Sequence, residues 1–119
     1  MADMKEFYNN IGEKYEPVYK RLLSSERIEK FLSHFFEENN ISELKQQLSD
    51  NDRASALNTA HSLKGVISTL GINALVEMIC GVHEALKNNE SEKAETLCRQ
   101  LLEKYDSVYK IWQDMHTTL

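Results

Sequence analysis

The chain has 119 residues, 41% of them hydrophobic and 28% charged, with a formal net charge of −5. That length supports one domain with a single modest core, and the composition is that of a globular chain rather than a disordered one. No run approaches the roughly 18 consecutive apolar residues of a membrane span, and no charged start followed by an apolar stretch resembles a signal peptide. No membrane is therefore expected, and a cytoplasmic location is. The acidic balance and the lack of a basic stripe argue against nucleic acid and leave a protein as the expected partner. Cys80 and Cys98 lack a metal-type spacing. Both fall beside apolar helix faces and are read as small packing residues, left unpaired in a reducing compartment.

Only four Gly and one Pro interrupt the chain, which predicts helices with short connections. Met4, Phe7, Tyr8 and Ile11 recur at helical spacing up to Gly12, as in a short amphipathic segment covering the end of a bundle. Pro17 suits the first turn of a second short helix, with Tyr15, Val18 and Leu22 turned inward. Residues 1–23 are thus read as a helical cap and 24–116 as the bundle, together one domain. Ser24 and Ser25 offer an N-cap for a long helix, with Glu26 at the positive end of its dipole. Ile28, Phe31, Leu32, Phe35 and Phe36 form a heavy apolar stripe assigned to the core. Ile41, Leu44 and Leu48 then lie on nearly the opposite side, so the helix either kinks near Asn39-Asn40 or packs its second half elsewhere. His34, at the stripe's edge, is read as structural.

Asp52 is expected to cap the next helix and Gly71 to close it in a left-handed conformation. Ile72, Leu75, Ile79, Val82 and Leu86 give the following helix an apolar face, flanked by Val76, Cys80 and His83. Ser91 and Glu92 open the last helix, with Ala94, Leu97, Leu101, Tyr105, Val108, Ile111 and Met115 as its stripe and Cys98 and Trp112 beside it. Four helices of about 17 to 25 residues, roughly 25–37 Å long at 1.5 Å per residue, make an all-α antiparallel up-down four-helix bundle.

Within 51–70, Ala56, Ala60, Leu63, Ile67 and Leu70 form the core seam. His61 falls roughly 150° from the centre of that seam and points to water. Lys64 puts an ammonium on the next turn. Gly65 costs a mid-helix position about 1 kcal/mol relative to alanine, yet it clears space one turn from the histidine. An exposed imidazole, a neighbouring lysine and bare backbone suit a reversible phosphoryl carrier. Neutral imidazole is a competent nucleophile, and histidine is one of the side chains able to carry a covalent intermediate. Gly65 and Ser68 would give a partner clearance, with Leu57 as an apolar contact. Two unit charges at 4 Å interact by about 1 kcal/mol in water and about 4 at an effective dielectric of 20, so Lys64 gains weight when docking excludes water.

The run Ala60-His61-Ser62-Leu63-Lys64-Gly65, followed by Leu70-Gly71, resembles the signature of histidine-containing phosphotransfer (HPt) domains, and the flanking helical pattern extends the resemblance over about Ser24 to Val108. The resemblance implies that His61 takes a phosphoryl group from a receiver-domain aspartate and passes it to another receiver, with Lys64 stabilising it. The partners implied are response-regulator receiver domains and/or a hybrid histidine kinase. Mg²⁺ would sit on the receiver, with no cofactor of the chain's own. In several such domains a glutamine or glutamate stands 22 residues after the active histidine and hydrogen-bonds its ring. Here that residue is His83, expected to face His61 across the groove. No glycine-rich phosphate loop or kinase-like ATP lid is present, so a carrier without its own ATP site is expected rather than an enzyme. A monomer is expected, and Met1 with the polar C-terminus favours a free-standing protein. One alternative is a non-phosphorylated adaptor binding receiver or kinase domains; the intact His61-Lys64-Gly65 set speaks against it. Another is a metal-binding bundle using His61 and His83, weakened by the lack of paired Glu-x-x-His motifs.

Overall fold

Four of the described helices start where a short polar side chain satisfies the first orphan N–H groups. Asp3 accepts from the backbone of Lys5 and Glu6, Ser24 from Arg27, Asn39 from Ser42, and Asp52 from Ser55. The computed structural model describes residues 3–117. It places there α1 (Met4–Asn10), α2 (Tyr15–Leu22), α3 (Ser25–Glu38), α4 (Asn40–Ser49), α5 (Arg53–Leu70), α6 (Asn73–Lys87) and α7 (Ser91–His116), with no strand among the described residues. The protein is all-α, as the periodicity predicts.

The ring of the bundle is α4, α5, α6 and α7: each packs on its sequence neighbour, and α4 closes the ring against α7. Its helices are uneven, at 10, 18, 15 and 26 residues rather than four of similar length. The expected long helix from Ser24 is in fact two. Asn39 takes a left-handed conformation (φ 44°) that ends α3, while its side chain caps α4. Asparagine tolerates that conformation better than other side chains with a Cβ. The break explains the phase change, since α3 packs on α1, α2 and α5 and reaches α7 through Phe35 and Phe36, while α4 takes the place in the ring.

One core joins the two layers. Phe7 from α1 meets Trp112 of α7 edge-on at 5.2 Å between ring centroids, and Phe36 of α3 lies 5.3 Å from the same indole. The Tyr105 hydroxyl donates to the Phe36 carbonyl at 3.2 Å, so that buried phenol keeps a partner. Four sequence assignments need correction. Phe31, placed in the core, is 50% exposed, because among the described residues no element closes over its side of α3. Cys80, placed at packing, is exposed on α6, whereas Cys98 is fully buried and its thiol is pushed up to about 11 by desolvation. On α7, Cys98 and Trp112 belong to the core and Leu97, Ile111 and Met115 only flank it. Ile111 lies about 100° from the direction set by Ala94 and Trp112, so the true stripe is centred elsewhere. His34, read as structural, is an exposed residue of α3.

The α5–α6 hairpin positions the site, and the N-terminal helices lock its turn. The Tyr8 hydroxyl donates to the Leu70 carbonyl. The Arg21 guanidinium donates to the Ser68 and Thr69 carbonyls at 3.0–3.2 Å, supplying charge at the negative end of α5. The Glu13 carboxylate accepts from Ala74 N–H at 3.0 Å and from the Asn73 amide at 3.1 Å, a cap for α6 that its own N-cap residue Ile72 lacks. At the hairpin's other end Arg53 Nε donates to the Leu86 carbonyl at 3.0 Å. The turn itself is Gly71, at φ 69°, where the α5 helix ends as the sequence predicts.

Candidate functional site

The seam Ala56, Ala60, Leu63, Ile67 and Leu70 is buried, at 0–2% exposure, and fixes the rotation of α5. With that face held inward, His61 is exposed on the outer side, as its phase requires. The same rotation sorts the neighbours of His61 onto two flanks. Taking about 100° per residue from the seam, Lys64 turns toward one side and Ser62, Val66 and Thr69 toward the other. Gly65 lies between them, opposite the seam.

On the first flank α6 runs alongside α5. His83, half-buried, comes within 5.9 Å of His61 between ring centroids, with the planes tilted by 41°. The structure thus brings together across the groove the two histidines expected to face each other. The group at the His83 ring nitrogen is Lys64, however: Nζ lies 3.4 Å from Nδ1. The expected hydrogen bond between the two rings is replaced by that contact. Burial, then the positive charges of Lys64 and Lys87 and the His61 ring, hold His83 below the usual imidazole range, against the opposing pull of Glu84. His83 is therefore neutral near pH 7, as a ring facing an ammonium must be.

The second flank is an open apolar groove of about 470 Å³ lined by Phe31, Ser62, Gly65, Val66, Thr69 and Leu70. Phe31 and Val66, 50% and 44% exposed, are two of the four large apolar side chains left most exposed among the described residues. A Cβ built on Gly65 would meet nothing within 4 Å, so packing inside the protein does not require glycine there. Ser68 is exposed near the helix end, and Leu57 packs partly against the core. Phe31 and Val66 were not legible as site residues. Val66 did carry a signal, being an apolar residue about 80° off the seam. Phe31 carried none, because a stripe edge looks the same whether or not a neighbour covers it.

Among the described residues no three His, Cys, Asp or Glu side chains gather as a metal ion would need, so nothing in the geometry favours the metal-bundle alternative. No described helix is long and apolar enough to cross a membrane. What stands at the centre is one exposed imidazole on a helical bundle, with a cation on one side and a shallow apolar landing surface on the other. Those features define an all-α bundle that presents a histidine on its surface. The chain belongs to the Hpt domain family, whose model matches residues 30–111. No curated protein and no solved structure matches it. Family membership gives the protein a phosphotransfer-type role in two-component signalling; domains of this family are phosphotransfer carriers that interact with receiver domains and histidine kinases.

Proposed function

We propose that the protein relays phosphoryl groups between receiver domains, with His61 as the residue that carries them. The observation that bears most weight is the bare surface around that ring: His61 exposed, Gly65 open to solvent one turn away, and the Phe31–Val66 groove beside both. A receiver's aspartyl phosphate is recessed in its own protein, so the accepting ring has to stand on a low surface to reach in-line geometry. In the transfer, a lone pair on a ring nitrogen of His61 forms the N–P bond. The P–O bond of the acyl phosphate breaks, and its electron pair leaves on the aspartate carboxylate. The remaining ring N–H can give its proton to water, and the reverse sequence loads the next receiver.

The chain's own residues supply position and charge. Lys64, one turn from His61, neutralises part of the added negative charge once docking excludes water. Gly65, with Ser68 beyond it, keeps the approach clear, and the groove seats an apolar patch of the receiver; Leu57 flanks the ring on its N-terminal side. The Mg²⁺ that such chemistry uses belongs to the receiver's acidic site. A cytoplasmic location and a monomeric carrier accord with this role.

Incubation with a phosphorylated receiver and Mg²⁺ is the test. Wild-type protein should acquire acid-labile, base-stable phosphate, while His61→Gln should acquire none at unchanged helix content and melting temperature, since the side chain is exposed. Phosphate retained by the His61→Gln protein would remove His61 as the carrier.

A further inference from the structure

Lys64 and His83 are in contact, and the chemistry of that contact is one-sided. An ammonium has three donors and no acceptor, so the His83 Nδ1 that faces Lys64 Nζ at 3.4 Å must present a lone pair. The ring proton then resides on Nε2. His83 is in this way held in one tautomer by a residue of the neighbouring helix, 5.9 Å from the ring of His61. Lys64 as a residue is half-buried, and its ammonium lies against the His83 ring.

The surroundings of His83 define what it responds to. α6 packs against α5 and α7. From α5 the ring feels Lys64 and His61; from its own helix it feels Lys87 and Glu84, which pair with each other at 3.5 Å. Among the described residues, none of the charges acting on it belongs to α7. Lys64 and His61 are therefore the neighbours on the facing helix, and both would change on phosphorylation of His61.

We propose that His83 is the resting seat of the Lys64 ammonium, and that a phosphoryl group on His61 draws the ammonium off and frees His83 Nδ1 to take a proton. The inference deepens the carrier reading of His61 and rests on it. A phosphoryl group with close to two negative charges and three acceptor oxygens is a stronger partner for Lys64 than one neutral ring nitrogen. His83 then loses an adjacent cation and gains an adjacent anion. Both changes raise its affinity for a proton, the opposite of its resting state. His83 is on this account a positioning residue: it holds the lysine within reach of His61 without engaging it in a competing ion pair.

Proton linkage gives the sign of the effect. The pKa of His83 lies below the usual value in the resting protein and rises on phosphorylation, so between the two values the phosphorylated form binds one more proton. Lowering the pH through that window favours the phosphorylated form, and by reciprocity phosphorylation favours protonated His83.

The experiment uses the whole chain labelled with ¹⁵N at histidine, observed before and after treatment with phosphoramidate, from which ammonia leaves as the new N–P bond forms. Before treatment, His83 should be the neutral Nε2–H tautomer and titrate below a free imidazole; in Lys64→Met its titration should move up. After treatment, ³¹P resonances report phosphohistidine, and the His83 titration should rise by about one pH unit or more in wild type. Lys64→Met should show a smaller rise, since one of the two causes is gone. A phosphohistidine signal mapped to His61 by mass spectrometry, with His83 titrating as before, would overturn the proposal and leave the carrier reading standing. Absence of any phosphohistidine would sink the carrier reading and this inference with it. A resting His83 in the Nδ1–H tautomer would overturn the proposal by itself.

Discussion

At Gly71 the chain turns at φ 69°, and a Cβ built there would lie 2.5 Å from Val18 Cγ2 and 3.0 Å from the Arg21 guanidinium. At Gly65, on the same helix and less than two turns earlier, a Cβ would meet nothing within 4 Å. The first glycine stands where three N-terminal contacts converge, from Tyr8, Arg21 and Val18. The second stands on an exposed stretch of α5, between His61 and the Phe31–Val66 groove. One end of the helix is thus closed by the protein itself, and the face beside it is left for something else. Glycine is the favoured residue at a left-handed helix end such as Gly71 and a costly one in mid-helix such as Gly65. The fold requires the first glycine and leaves the cost of the second unrecovered.

The contrast can be broken at either end, and the largest effect is expected at the closed one. Gly71→Ala combines a left-handed conformation with an overpacked contact, and should destabilise the protein by about 2–4 kcal/mol in chemical denaturation. A loss under about 1 kcal/mol would mean that α2 yields easily and that the turn is not the rigid end described here.

At the open face the same residue type should behave the other way. Gly65→Gln should slow phosphoryl transfer from a receiver by about ten- to a hundredfold through misplacement of the docked partner, while folding is unharmed. Gly65→Ala should raise stability by up to about 1 kcal/mol from helix propensity alone. If the glutamine variant transfers at the wild-type rate, clearance is not what Gly65 provides, and the comparison with Gly71 loses its second half.

Phe31 sharpens the comparison from the groove side. A ring that is half exposed contributes little to the core, so Phe31→Ser should cost about 1 kcal/mol of stability or less. Its effect on receiver affinity should be larger, at about five- to thirtyfold, as for an apolar anchor in an interface. Titration calorimetry or surface plasmon resonance with a purified receiver reads this directly. Equal losses in stability and affinity would identify Phe31 as a core residue after all.

Much of this arrangement was legible beforehand because it is local. The seam on α5, the cap at Asp52, the stop at Gly71 and the outward phase of His61 each follow from spacing within a single helix. The break at Asn39 was half legible: the phase of Ile41, Leu44 and Leu48 announced a change of neighbour, but one kinked helix and two capped helices fit that pattern equally. What the sequence withheld depends on which helix lies beside which. Phe31 and Cys80 were assigned inside because an apolar phase says nothing about whether a neighbour arrives to cover it. Cys98 and Trp112 were set at the margin of α7, whose 26 residues face α4, α6 and α1 along different parts of their length. The Lys64–His83 contact was hidden for the same reason. Each residue had been assigned to His61, and nothing in linear spacing pairs them with each other.

The central claim is that one of four histidines carries the phosphoryl group, and it is tested most directly by mapping the modification. Protein loaded from a phosphorylated receiver, digested at neutral to alkaline pH and sequenced by tandem mass spectrometry, should carry phosphate on His61 alone. His34, also exposed, His83, half-buried against Lys64, and His116, held between Glu29 and the Trp112 carbonyl, should all be unmodified. Phosphate on His34, His83 or His116 in place of His61 would contradict the account.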